Sequence, residues 1–183
     1  MLIILHGLPG VGKSTLAQKL SEITGALVLG TNHIRRNILG CNAYQCANVP
    51  LMPFSKDEIL LSYRIMLYCA ELMLQQGKNV ILDATFQKIQ YIEMAKEVAQ
   101  KMGVPVYVVK VVCDEDECKK RMDERVRLRK SDSIVDYKHH VEVKEKIFEE
   151  YPNVSFSIDT SKDLEPQYAQ FQSIVGTNEP QSL

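Results

Sequence analysis

The sequence predicts an α/β three-layer sandwich, a parallel sheet with helices on both faces. Three observations carry this reading. β-like runs alternate with helically patterned segments along the chain, the arrangement that builds layered α/β domains. The β-like runs Leu2–Leu5, Ala26–Leu29, Asn79–Leu82, Val104–Val112 and Val154–Ile158 are apolar without polar alternation, as expected of strands covered on both sides. Helix start and stop signals fall between them.

The first strand leads directly into Gly7-Leu8-Pro9-Gly10-Val11-Gly12-Lys13-Ser14-Thr15, which fits the nucleoside-triphosphate loop GxxxxGK[ST]. Each part has a physical task. Glycines give the backbone conformations closed to other residues, so that successive N–H groups point inward at phosphate oxygens. Lys13 reaches the β- and γ-phosphates, the Ser14 hydroxyl is placed to ligate Mg²⁺, and the helix that starts here turns the positive end of its dipole toward the anion. Leu16, Leu20 and Ile23, four and three residues apart, give that helix its apolar stripe. The reading is an ATP or GTP binder.

A second helix begins near Asn32, after the second strand. The stretch Gly40–Phe54 follows, with Tyr44, Val49, Leu51, Met52, Phe54 and two prolines. A loop this long without regular structure is commonly functional, so it is expected to line the acceptor pocket; a hydrophobic flap on the core is the plainer alternative. Ser55 and Glu58 have the N-cap and N3 spacing of a capping box, as do Asp114 and Glu117, and Gly77 and Gly103 fall where helices should stop. The third strand, Val80-Ile81-Leu82, ends in Asp83. A carboxylate there, at the carboxyl edge of an open sheet and beside a phosphate loop, holds Mg²⁺ or orients the attacking oxygen; by itself it would read as an N-cap for the helix after Thr85.

The segment from Cys118 to Asp132 is strongly basic. On a helix, Cys118, Met122 and Val126 form a core-facing stripe, and Arg121, Arg125 and Arg129 line another face. Glu117 is spaced to pair with Arg121, Asp123 with Lys119 or Arg127, and Glu124 with Lys120. Arg125 and Arg129 have no acidic residue at that spacing, and we expect them to clamp a transferring phosphoryl group from a lid of about residues 119–135. Ser131, Asp132 and Ser133 would let that lid bend. A solvated basic face is the alternative. Residues 1–175 are expected to form one domain, with a polar flexible tail over 176–183.

Composition fits a compact enzyme: 183 residues, 45% hydrophobic, formal charge −1. Without a bulk field, any polyanion must be gripped locally. No apolar run approaches a membrane span, and the first residues resemble neither a secretory h-region nor a cleavage site, which points to the cytoplasm. The five cysteines are expected to be reduced; Cys41/Cys46 and Cys113/Cys118 share a spacing, but no histidine accompanies them at zinc-finger distance.

GLPGVGKST, NHIRR after the second strand, VILDATF after the third, the arginine-rich helix and SIDTS after the last together resemble the P-loop kinase superfamily. The group concerned is the small ATPase/kinase domains similar to polynucleotide 5′-hydroxyl kinase, gluconate kinase and the zeta-toxin kinases. The resemblance implies a P-loop NTPase fold with a five-stranded parallel sheet in the order 2-3-1-4-5, and a last loop, Asp159-Thr160-Ser161, that approaches the adenine. It also implies an aspartate three residues before an arginine after the second strand, as general base and acceptor anchor. Here the arginine is Arg35 and the other position is Asn32. An amide hydrogen-bonds an acceptor but takes no proton, so the base becomes Asp83, which we favour, or His33. The expected activity is transfer of the γ-phosphate of ATP, with Mg²⁺, to a hydroxyl of a small molecule or a nucleic-acid end. Its catalytic residues are Lys13, Asp83, Arg125 and Arg129. An ATP-binding but inactive kinase-like module is the alternative that Asn32 favours. No guanine-reading NKxD motif occurs, and a ring-forming mechanical ATPase would need a further helical domain.

Overall fold

The computed structural model describes residues 1–38, 55–128 and 136–176. The elements run β1 (Leu2–His6), α1 (Lys13–Thr24), β2 (Leu27–Gly30), α2 (Thr31–Ile38), α3 (Lys56–Gln75), β3 (Val80–Asp83), α4 (Ile89–Met102), β4 (Val106–Val112), α5 (Glu115–Leu128), α6 (Tyr137–Lys146), β5 (Phe156–Asp159) and α7 (Glu165–Gly176). All five strands form one sheet in the order β2-β3-β1-β4-β5, with every neighbouring pair parallel. Fold class and strand order are those expected; four strands begin one or two residues later than the apolar runs do, and the last helix extends to Gly176. The candidate acceptor stretch Gly40–Phe54, Arg129, the bend at Ser131–Ser133 and the tail beyond Gly176 lie outside the described residues.

The apolar strands are explained by two cores. Toward α3 and α4 point Leu2, Ile4, Val80 and Leu82; toward α1, α5 and α7 point Ile3, Leu5, Ile81, Val109 and Val111. Strand β1 lies at the centre and is fully buried from Leu2 to His6. Each such aliphatic side chain contributes about 1.5–3 kcal/mol on burial. Leu16 and Leu20 are buried and Ile23 packs against them, as the stripe on α1 requires.

The start and stop signals are met in detail, with one exchange of partners. Ser55 and Glu58 form the full capping box of α3. Asp114 accepts from the Asp116 and Glu117 backbone N–H groups, but its own N–H donates to Ser161, and the Glu117 carboxylate turns to Arg121 instead. Gly103 closes α4 in the left-handed region, where a side chain would be strained. The start of α4 is held from outside: Glu149 accepts from the Ile89 N–H and pairs with Lys88. That excludes the N-cap reading of Asp83. On α5, Glu124 lies 3.9 Å from Arg127, and the expected Glu124–Lys120 and Asp123 pairings are not formed. No described helix is long and apolar enough to cross a membrane.

Candidate active site at the carboxyl edge of the sheet

The loop between β1 and α1 takes its shape from its glycines. Gly10 and Gly12 have φ of 87° and 91°, and a Cβ on Gly7 would meet the Val111 carbonyl oxygen at 2.4 Å. Within this loop the Lys13 ammonium donates to the carbonyls of Gly7 (2.9 Å) and Leu8 (2.7 Å). Burial pushes its pKa down to about 8, against the pull of the Asp83 carboxylate, while the charge of Arg125 acts with burial. Lys13 thus feels the charges of two other predicted site members, Asp83 and Arg125. Ser14 and Thr15, in the first turn of α1, are exposed.

Asp83 is half-buried at the end of β3, in register with Leu5 on one side and Gly30 on the other. Gly30 lies beside this carboxylate, and a Cβ there would sit in ordinary contact with its Oδ2 at 3.8 Å. The corner after Asp83 is bonded to the phosphate loop, because the Gly7 N–H donates to the Thr85 carbonyl. Phe86 then adopts φ 48°, a conformation that costs a non-glycine residue about 1–3 kcal/mol. Buried contacts hold it there. Its N–H donates to the Tyr63 hydroxyl, whose ring stacks on Tyr91, and its carbonyl accepts from His6, which stacks on Phe148. Burial raises the pKa of Tyr63, keeping its hydroxyl neutral.

On α2, Arg35 Nε donates to Ser62 Oγ at 3.0 Å and its Nη1 lies 3.5 Å from Asn32 Oδ1. Asn32 and Arg35 therefore act as one unit, with Ser62 anchored to the carbonyls of Glu58 and Ile59. His33 is exposed.

The opposite wall comes from α5 and α6. Met122 and Cys118 lie beneath Gly10, where an added Cβ would meet the Met122 sulfur at 2.4 Å. Burial raises the Cys118 thiol to about 11, and His140, buried on α6, donates from Nδ1 to the Pro9 carbonyl at 2.7 Å. Arg121, expected to pair with Glu117, does so and is also a brace: it reaches Cys113 and donates to both the hydroxyl and the carbonyl of Thr160. The Thr160 hydroxyl in turn donates to Val11 in the phosphate loop. Arg125, half-buried one turn on, makes no ion pair among the described residues. Sequence reasoning missed His140, Met122 and the bond from Thr160 to the loop. An isolated histidine and a methionine in an amphipathic stripe give no sign of contact with a loop more than a hundred residues away.

A sequence model of the AAA domain matches residues 2–149. The chain belongs to the AAA-domain family. The likeness extends to curated proteins described as uncharacterized, from Mycobacterium tuberculosis and Mycobacterium bovis. Each is 34% identical over 100 residues, which are 54% of this chain and 20% of the relative. This AAA-domain chain thus matches about a fifth of those longer proteins. Among solved structures it is similar to APS kinase of M. tuberculosis, determined with AMPPNP and APS (18% identity, 96% of each chain, TM-score 0.67). It is also similar to a sugar kinase of Janibacter sp. (15% identity, 97% and 95% of the two chains, TM-score 0.69) and a gluconokinase of Sinorhizobium meliloti (15% identity, 96% and 91%, TM-score 0.63). The AAA domain here has the fold of the P-loop kinases.

Proposed function

We propose that the protein is an ATP- and Mg²⁺-dependent phosphotransferase acting on a hydroxyl acceptor, a small molecule or a nucleic-acid end. The observation that carries this is the placement of Asp83 beside the phosphate loop: it is in register with Leu5, the corner after it is bonded to Gly7, and Lys13 reaches back to the carbonyls of Gly7 and Leu8. A site that only held nucleotide would need the loop and the lysine. A carboxylate at the next strand end and a cation on the far side are what transfer adds.

In the proposed reaction the acceptor oxygen bonds to the γ-phosphorus, the bond to the β–γ bridging oxygen breaks, and ADP leaves. Asp83 takes the hydroxyl proton, and a loose transition state asks for positioning more than strong base assistance. Lys13 and Arg125, with Arg129 beyond the described residues, offset charge on the phosphoryl oxygens. Asn32 and Arg35 orient the acceptor. Ser14 and Asp83 fit Mg²⁺, which takes oxygen donors and is commonly held by one or two protein groups together with phosphates and water. The described residues contain no cluster of three or more His, Cys, Asp or Glu side chains that could hold a metal ion. Bound there, the ion would supply charge neutralisation to the β- and γ-phosphates. Asn32 specifically favours a second reading, an ATP-binding module without turnover.

The test is transfer from γ-labelled ATP to pooled nucleosides, nucleic-acid 5′ ends and sugar acids. Labelled product that disappears in Lys13→Ala and Asp83→Asn is expected. Full activity in Asp83→Asn would remove Asp83 from both its roles, and ATP binding without product from any pool would favour the second reading.

A further inference from the structure

Helix α3 is apolar on two opposite faces. Tyr63, Met66, Ala70 and Leu74 point into the core, as expected. The opposite meridian should be polar, yet it reads Leu61, Ile65, Tyr68, Leu72, at spacings of four, three and four residues. Leu61 is 45%, Tyr68 63% and Leu72 44% exposed. At 100° per residue these positions fall within one narrow stripe, on which Leu61, Tyr68 and Leu72 are exposed while Ile65 is half-buried and packs against the core. An apolar helix stripe of this spacing is the seam of a two-helix contact.

Flanking charges specify the partner. Arg64 and Glu71 lie seven residues apart on the same shoulder of the stripe. When two copies of α3 cross antiparallel about a two-fold axis, Leu61 of one meets Leu72 of the other and Ile65 meets Tyr68. The same register brings Arg64 opposite Glu71 of the second copy, and the symmetry repeats the pair. In a parallel pair this shoulder falls on opposite sides of the seam in the two copies, so Arg64 and Glu71 do not meet. Glu71 is already held by Lys101 of α4 through Oε1, at 2.7 Å, which fixes the carboxylate and leaves Oε2 for the incoming guanidinium. Arg64 has no ion pair among the described residues.

We infer that α3 is the self-association surface of this chain, forming an antiparallel homodimer closed by two Arg64–Glu71 pairs. The seam lies on the outer side of α3, whereas Ser62 on its inner side supports Arg35. Dimerisation therefore braces the acceptor wall from behind without covering the phosphate loop.

Sedimentation velocity of the full chain across the micromolar range tests this. A dimer is expected for the parent protein, with association weakened roughly 30-fold or more in Tyr68→Glu. Arg64→Glu should weaken it by a smaller factor, and adding Glu71→Arg should restore it, because each copy then presents the opposite sign to the other. The surface charge variants keep the test open if Tyr68→Glu does not fold. A parent chain that stays monomeric, or a dimer indifferent to Tyr68→Glu, overturns the inference and leaves the stripe to a different partner. A charge swap that fails to restore association overturns the antiparallel register.

Discussion

Lys13 shows how a single side chain can be prepared for an anion before the anion arrives. Enclosed by the loop carbonyls, it has a pKa of about 8 instead of the usual 10.5. Between those values the unfolded chain holds a proton that the folded chain lacks, so this group's contribution to stability rises with pH through that window and is a full cost below it. A bound triphosphate reverses the preference and draws the proton back. ATP affinity should therefore be flat below pH 8 and fall by roughly tenfold per unit above it, the signature of one proton taken up on binding. Titrations across this range decide the matter: affinity in the parent that ignores pH would mean the ammonium is not at the phosphates. Lys13, Ser14 and Asp83 were legible in the sequence because each sits at a fixed offset from a strand end. His140 and Thr160 were not, since their contacts with Pro9 and Val11 arise only when distant helices and strands pack together.

At the level of elements, the Glu117 spacing already set Arg121 apart from Arg125 on α5, but the bonds of Arg121 to Thr160 appear only in the folded chain. Arg121 bonds to Thr160 and Glu117, while Arg125, one turn on, makes no ion pair among the described residues and its charge is felt by Lys13. Arg121→Ala should lower stability by about 1–2 kcal/mol, the scale of charge-assisted hydrogen bonds with a discount for partial exposure. Arg125→Ala should leave the unfolding midpoint nearly unchanged but slow transfer about 100-fold. Denaturant titration beside single-turnover transfer separates the two, and interchangeable behaviour would sink the division of labour. Periodicity placed α5 correctly, and Cys118 and Met122 of its stripe are buried as expected; the Val126 side chain lies outside those described. It could not show Arg121 as a brace, because only the tertiary neighbour decides that. Strand ends slipped for a related reason: apolar residues such as Val104 continue into the approach to the sheet, packing against the core without joining the ladder.

For the molecule as a whole, the sheet order followed from the resemblance carried by the loop and by Asp83, and the parallel pairing from the unbroken apolar strands. The outer surface of α3 escaped notice because a motif-led reading asks only which helix face is buried. ATP with Mg²⁺ at about 100 times its dissociation constant should add about 2.7 kcal/mol to unfolding, a midpoint rise of roughly 5–10 °C at this size. Lys13→Ala should show no rise at the same concentration; an equal rise would separate nucleotide binding from the loop. The contacts of His140 with Pro9 and of Met122 with Gly10 mean that the arginine-rich helix and the helix after it both reach the phosphate loop. Coupling between sites is reciprocal. Whatever factor a nucleotide gains from well-seated α5 and α6, those helices gain from the nucleotide, so a substitution far out on α6 would be felt as weaker ATP, and ATP as a firmer α6.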